Sequence, residues 1–250
     1  MTVGPFNLGD GVVFAAFWTL VGVGLLRGSL LRALERRKRD EWLVDGINLA
    51  VQGALVPFLQ GALAAQLLAR ALPAWAHGVQ VPFWAAFLLV FFGVDYAYYW
   101  NHRTLHRKAL WPLHQVHHSV ERMDVLATSR NTVWTSFLIV YLWLDGLLLF
   151  LVRDPTPIVL AVGVTAALDL WRHSAQQPRG RLASFLGGFL VLPDDHAWHH
   201  CEEVTDVNFG ANLNLWDRLH GTWIRPGAAP ERLGSALSMS PVRQLLWPWP

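Results

Sequence analysis

Neutral imidazole is the commonest metal ligand among protein side chains, and this chain concentrates it. The stretch Asn101-His102-Arg103-Thr104-Leu105-His106-Arg107-Lys108-Ala109-Leu110-Trp111-Pro112-Leu113-His114-Gln115-Val116-His117-His118 places five histidines in 17 residues. A second group, His196-Ala197-Trp198-His199-His200, repeats the H-x-x-H-H spacing of His114, His117 and His118. On a helix, positions i, i+3 and i+4 share one face, with Cβ atoms about 5–6 Å apart. Each triplet is therefore expected to aim three imidazoles at one point, with His102 and His106 adding two more. Such ligation suits zinc, copper, iron and nickel, not magnesium or calcium. A lone histidine is more often a hydrogen-bonded core residue. Eight of them in three helix-compatible clusters point to metal.

The elements that must hold these residues are apolar helices. Of the 250 residues, 53% are hydrophobic and only 15% charged, against about 25% charged in soluble domains. A membrane helix needs about 20 mostly apolar residues, and five segments qualify: 10–31, 43–69, 82–101, 133–152 and 157–175. Arg27 cuts the first short and must snorkel. The expected fold is an all-α integral membrane protein with four to five transmembrane helices and a cytoplasmic helical cap around a polyhistidine metal site. It forms one membrane domain over 1–250, with transmembrane helices in 10–175, a cytoplasmic histidine loop at 102–132, and cap and tail at 176–250. The single cysteine, Cys201, excludes an intrachain disulfide framework. With no basic n-region at the N-terminus, the first apolar segment is expected to be retained.

Topology follows from charge. With five spans and the N-terminus outside, the outer loops are about 70–81 and 153–156. Arg70 and Arg153 are the only Lys or Arg there, leaving 18 of the 20 on the other side or at its boundary. The positive-inside rule makes that side cytoplasmic. The same division leaves ten of the eleven histidines inside and His77 alone outside. The span 82–101 runs into His102, so His102 and His106 are expected on its extension. Pro112 suits the first turn of a new helix carrying His114, His117 and His118. The fifth span ends at His173, at the same depth. The basic run 32–41 reads as a solvated cytoplasmic loop. Residues 182–192 read as an interfacial or re-entrant segment, and the Trp/Pro-rich 245–250 as an interfacial anchor.

The order H-x-x-x-H, H-x-x-H-H, H-x-x-H-H on a small polytopic chain resembles the fatty acid hydroxylase superfamily, also called the sterol desaturase family. Asp95-Tyr96-Ala97-Tyr98-Tyr99-Trp100-Asn101-His102-Arg103 looks like its aspartate and aromatic turn before H-R. Leu110-Trp111-Pro112-Leu113-His114 resembles its L-W-x-x-H, His173-Ser174 its isolated H-S, and Pro193-Asp194-Asp195-His196 its P-D-x-H. Asn208-Phe209-Gly210 and Trp216-Asp217-Arg218-Leu219-His220-Gly221-Thr222 resemble its N-Y/F-G and W-D-R-L-F-G-T. The resemblance covers about residues 90–225. Two departures stand out. After Arg130 the sequence Asn131-Thr132-Val133-Trp134-Thr135 lacks the H-P-x-E many members have, which bears on the substrate subgroup. His220 replaces a usual phenylalanine, a possible extra polar group near the site.

The resemblance implies a non-haem dimetal centre, usually di-iron, that uses dioxygen to hydroxylate or desaturate a lipid. The candidate ligands are His102, His106, His114, His117, His118, His173, His196, His199 and His200. Nine imidazoles exceed the four ligands of a closed zinc site. Zinc has no redox chemistry, so two iron ions are the functional expectation, with dioxygen as cosubstrate. Zinc can still fill the site in a purified sample, since it outcompetes ferrous iron in affinity. Ligating histidines usually donate their second N–H to a carboxylate or carbonyl. Asp95 and Asp169 are expected in that role, with Asp195 and Asn208 as further support and Asp194 and Asp195 as helix caps. Cys201 reads as a packed thiol. Asp145, inside the fourth span, has no partner apparent in the sequence. Phe91, Trp134 and Phe137 are candidate pocket residues.

The expected function is a dioxygen-dependent lipid hydroxylase in a bacterial inner membrane, with its active site on the cytoplasmic face. The substrate is a fatty acyl, sterol or related membrane lipid. Desaturation or ether-lipid oxidation is the alternative within the superfamily, and a histidine-rich metal transporter or metal-binding membrane protein is the rival from another class. A transporter should place its ligands near mid-membrane, whereas these lie past the span ends. The expected partner is a separate electron donor, whether a reductase, a ferredoxin or a b-type cytochrome. No nucleic acid is expected.

Overall fold

Asn7 opens the first helix, α1 (Leu8–Leu26), through a reciprocal capping box: its side chain accepts from the Asp10 N–H, and Asp10 accepts from the Asn7 N–H, both at 3.0 Å. The computed structural model describes residues 7–235 and 237–249. Of the expectations above, the ends of the single domain and Pro250 of the tail lie outside the described residues. The first span ends sooner than expected. Arg27 caps α1, and Gly28 takes a left-handed φ of +67° before α2 (Ser29–Glu35) sets off.

Helix α3 (Arg39–Ala71) is long and apolar, with a π-helical turn at Val51–Leu55. Pro57 follows it in the next turn, bringing no N–H and a ring that crowds the carbonyl four residues back. The widened turn absorbs that conflict. Helix α4 (Phe83–Leu105) contains a second π-helical turn, Leu89–Val94, and ends in the first histidine motif. By length and composition α1, α3 and α4 are able to cross a membrane, with mean hydropathies of 1.7, 1.4 and 1.3. Their large apolar side chains are widely exposed, Phe58 to 72% and Trp18 to 55%, as a lipid-facing surface requires.

The remaining expected spans are shorter. After α5 (Trp111–His114), the segment 133–152 is two helices, α6 (Val133–Leu138) and α7 (Val140–Leu151), broken at Ile139, which is extended at φ −73° and ψ 113°. Asn101 bridges the break as a surrogate backbone. Its Nδ2 donates to the Leu138 carbonyl at 3.0 Å, and its Oδ1 accepts from the Val140 N–H at 3.2 Å. Gln52 and Gln60 donate to the carbonyls of Thr132 and Ser136. Irregular backbone between apolar helices is tolerable only when its polar groups are met in this way. Helix α8 (Thr156–Arg172) has 17 residues. Four to five spans were expected; three helices meet the full length and composition. At the far end, the two segments expected as outer loops touch: Val79 N–H donates to Leu151 O at 2.9 Å and Arg153 N–H to Val79 O at 2.8 Å.

Beyond α8 come the short helices α9 (Gly180–Leu186), α10 (Pro193–His199), α11 (Leu215–His220) and α12 (Pro241–Leu246). Apart from isolated bridges, the described residues contain no strand. The apolar core lies between α4, α7 and α8, around Val90, Val94, Ile158 and Ala161. Helix α1 docks on α8 through two glycines. A Cβ on Gly163 would lie 2.6 Å from Gly9 Cα, and one on Gly9 would lie 2.4 Å from Val159 O. Backbones this close leave no room for a side chain. Gly163→Val is expected to cost about 1–3 kcal/mol by overpacking and to lower the midpoint of thermal unfolding in detergent. Gly61→Ala on α3, where a Cβ meets nothing within 4 Å, should leave it level or raise it.

Candidate metal centre

The structure gathers all nine expected histidines into two adjoining sets. One holds His102, His106, His114, His118 and His199; the other holds His117, His173, His196 and His200. Within each set, one nitrogen per ring lies within 4.8 Å of all the others. Each H-x-x-H-H is shared between the sets, contrary to the expectation of one point. His114 and His118, one turn apart, serve the first set while His117 turns to the second. His196 and His200 serve the second while His199 turns to the first. The local reason is that α5 stops at His114, and the chain tightens into a 3-10 turn at His117–Ser119. Where α10 carries its triplet, His199 points along a different direction from its i,i+4 neighbours. The sets meet where the His118 and His200 rings stack, centroids 4.5 Å apart.

Ring orientation is fixed from behind. His102 Nδ1 donates to Phe209 O at 2.8 Å, His199 Nδ1 to Val207 O at 2.7 Å and His117 Nδ1 to Arg130 O at 3.2 Å. His173 Nδ1 donates to Asp169 O at 2.8 Å and lies 3.0 Å from its Oδ1. With Nδ1 protonated, Nε2 in each of these rings carries a bare lone pair. Yet His173 Nε2 faces His117 Nε2 at 3.4 Å and His196 Nε2 at 2.9 Å, and His102 Nε2 faces His114 Nε2 at 2.9 Å. Nε2 of His106, His118 and His199 is buried with no hydrogen-bond partner. Between His117 and His173, whose Nδ1 protons are both committed, two lone pairs face each other and repel unless a cation sits between them; Nδ1 of His114, His196 and His200 is buried without a partner as well. Metal–nitrogen bonds of about 2.1 Å place two ligands of one ion about 3.0–3.4 Å apart, the spacing found here. The donor set fits a pair of transition-metal ions.

Burial keeps these rings neutral, as ligation needs. Desolvation first, then neighbouring imidazoles, push His114, His118, His196 and His200 well below the ordinary 6.5. Desolvation likewise takes His117 and His199 down to about 3.

The expected supporting carboxylates divide. Asp169 touches His173 and is paired with Arg172 at 2.5 Å. Asp95 reaches no imidazole. It accepts from the backbone N–H of Asn212 at 2.8 Å and of Leu213 at 3.3 Å, and from Trp216 Nε1 at 2.8 Å. Asp195 accepts from the Leu192 N–H and pairs with Arg225, and Asn208 ties Asp195 O to Ile224. These three secure the cap, and through it the carbonyls behind the rings. His220 stacks on Tyr99 at 5.1 Å and meets Tyr96 Oη at 3.2 Å, joining neither set. Cys201 is half-buried and joins neither as well.

Two supports were not legible in the sequence. Asp217 accepts from the N–H groups of Phe209 at 2.8 Å and Gly210 at 2.7 Å, fixing the turn whose carbonyl orients His102. The basic run, expected to be solvated, is docked at Arg37, which is 8% exposed and pairs with Asp45 and Asp124. Asp45 also grips Arg130, through Nε at 2.5 Å and Nη2 at 2.7 Å, and the Arg130 carbonyl orients His117. Asp217 sits inside a quoted motif, but Asp45 has no spacing to any histidine that could have flagged it.

A cavity of about 110 Å³ opens onto the rings, lined by His102, His114, His117, His173 and His196 together with Tyr98, Tyr141 and Arg172. Trp134 and Phe137, expected in such a pocket, are 45% and 37% exposed and do not line it; Phe91 stacks instead on Phe87.

Comparison with known proteins gives the same direction. The family model for fatty acid hydroxylase matches residues 87–222. An ornithine lipid hydroxylase of Rhizobium tropici is 34% identical over 137 residues, 53% of this chain and 40% of that protein. Alkylglycerol monooxygenases of Danio rerio and Homo sapiens are 32% and 31% identical, over 59% and 53% of this chain and 33% and 29% of theirs. The match thus spans well under half the length of these relatives. No solved structure matches the chain.

Two outcomes are expected. Asp45→Asn leaves Arg37 and Arg130 buried without their shared partner and should cost about 3–5 kcal/mol, read as a lower unfolding midpoint in detergent. For pH, the unfolded chain protonates its histidines near 6.5 while folded His117 and His199 resist to about 3. Between those values the unfolded state binds more protons, so stability falls as pH falls, by up to about 1.4 kcal/mol per pH unit per histidine. Thermal unfolding of the metal-free protein, followed from neutral to mildly acidic pH, checks this. A flat profile would contradict it.

Proposed function

The chain belongs to the fatty acid hydroxylase family, and on that premise we propose that it is a dioxygen-dependent lipid hydroxylase working through a histidine-held di-iron site. The observation that carries the reading is the pair of converging imidazole sets, in which backbone carbonyls fix the tautomers of His102, His117, His173 and His199. His102, His106, His114, His118 and His199 would hold one ion, and His117, His173, His196 and His200 the other. When bound, iron supplies the redox chemistry with dioxygen that breaking an unactivated C–H bond requires and zinc lacks.

The chain's own residues do the rest. The Nδ1–H groups of His102, His117, His173 and His199, held by carbonyls, fix those four imidazoles in tautomer and angle, so they need no reorganisation on ligation. Burial of the rings excludes bulk water from the reacting carbon. Asp169, paired to Arg172, holds the His173 ring at the wall shared with the substrate space. Tyr98 and Tyr141 line the same space beside the rings. The substrate is a membrane lipid, entering sideways between helices, as the exposed apolar faces of α1, α3 and α4 suit.

Oxidation of an ether lipid is the second reading, favoured by the similarity to alkylglycerol monooxygenases. A metal transporter is disfavoured, because the histidines gather at and beyond the C-terminal ends of α4 and α8 and not at mid-helix. The active face is cytoplasmic, the membrane is a bacterial inner membrane, and electrons come from a separate reductase, ferredoxin or b-type cytochrome.

The test joins metal analysis to lipid mass spectrometry. Protein purified from iron-replete membranes should carry about two irons per chain, and expressing cells should accumulate a lipid heavier by one oxygen only when aerated. His199→Ala and His117→Ala disable one set each, and either should lose metal and abolish the product. Undiminished turnover in either variant would sink the proposal.

A further inference from the structure

A second cavity, of about 90 Å³, lies between α4, α7 and α8 and shares Tyr98, Tyr141, Asp169 and Arg172 with the walls of the histidine cavity. Much of its lining is apolar, with Val90 and Val94 on α4 and Val162 and Ala166 on α8. Its apolar lining and its walls shared with the histidine cavity suit the hydrocarbon next to the reactive carbon of a lipid. Two polar residues in the lining do not suit a hydrocarbon.

Asp145 on α7 is 8% exposed, and its Oδ1 is buried with no hydrogen-bond partner. Asn212 is 2% exposed, and its Oδ1 is unpartnered as well. The amide is oriented by its other end, since Nδ2 donates to Thr165 Oγ1 at 3.0 Å. Leaving such an acceptor unmet inside a protein costs about 1–3 kcal/mol, and a carboxylate within an apolar helix is costlier still. The other charged groups lining the cavity are committed elsewhere. Asp169 pairs with Arg172 and His173, Arg172 also donates to Ala211 O, and Asp95 is filled by the cap. Asp145 stabilises nothing else: it forms no ion pair among the described residues and touches no histidine of either set.

We propose that this crevice recognises a lipid carrying a neutral hydrogen-bond donor, a hydroxyl or an amide N–H, and that Asp145 accepts from it. The inference rests on the hydroxylase reading for the identity of the histidine cavity as the reacting end. Asp145 lies four residues beyond Tyr141, one helical turn or about 6 Å along α7, and Tyr141 is the shared wall. The donor therefore sits a few bonds from the carbon presented to the histidines. A plain acyl chain offers nothing for either acceptor and is the poorer ligand. Asp145 is a specificity residue, not a catalytic one, because it acts on the part of the lipid that does not react.

The experiment uses purified full-length protein loaded with zinc, which binds the rings and turns nothing over. Two probes are compared by equilibrium binding in detergent: 1-O-hexadecylglycerol, with two hydroxyls, and its di-O-methyl ether, with none. The wild type should bind the hydroxylated probe about tenfold tighter, the worth of one well-placed hydrogen bond. Asp145→Leu should bind both alike, while Asp145→Asn, which keeps an acceptor oxygen, should retain part of the preference. Zinc content and unfolding midpoint show that each variant is folded. Equal binding of the two probes by the wild type, as water filling the crevice would give, overturns the proposal whether or not the variants fold. A full preference surviving in Asp145→Leu overturns it too. Should lipid be oxidised in cells without any preference here, this inference alone fails. A preference without oxidation would instead strike the hydroxylase reading.

Discussion

Lone pairs of neutral imidazoles, forced to face one another where no water can intervene, are the constraint on which the rest of the structure depends. Four rings, His102, His117, His173 and His199, are committed by donating Nδ1–H to a carbonyl, so their Nε2 has no proton to offer a neighbour. His117 and His173 bring two such atoms to 3.4 Å, an arrangement that is electrostatically unfavourable unless a cation lies between them. Only a scaffold that over-determines every ring can hold it, and the same rigidity is what lets metal ions bind without rearrangement.

That scaffold is supplied from two directions. On one side the cap turn 208–210 is pinned by Asp217, and its neighbour segment by Asp95 and Arg172. Gly210 has to be a glycine, for a Cβ there would lie 2.5 Å from Leu213 O and 2.8 Å from Asp217 Oδ2. On the other side Asp45 holds Arg130, and Arg37 ties Asp45 to Asp124. The buried groups Arg37, Arg130, Asp45 and Asp124 balance in charge, which removes the heavy cost of burying an unpaired ion. The carbonyls behind His102 and His117 are thus held by charged groups that never touch those imidazoles.

The membrane-facing half follows a different logic. There, long helices satisfy their own backbones, and irregularities are confined to places where side chains repair them, as Asn101 does at Ile139. Glycines replace apolar side chains where α1 must approach α8 closely. Polar residues left over in that half, Asp145 above all, stand out because nothing in the fold uses them.

Composition and hydropathy determined by themselves that this is a helical membrane protein, because apolar runs of that length have few soluble uses. Residue type and spacing also determined which histidines matter, because imidazoles at i, i+3 and i+4 in several segments have one economical explanation. The spacing did not reveal that each H-x-x-H-H divides between two sets, since that depends on where α5 stops and on which rings of the other segments each imidazole meets. Nor did it reveal that Asp95 braces the cap while Asp45, 72 positions from His117, supports that ring through Arg130. Helical periodicity is a local property, legible along the chain. Which carbonyl stands behind a ring, and which carboxylate stands behind that carbonyl, is set by segments remote in sequence and is decided only when the helices pack.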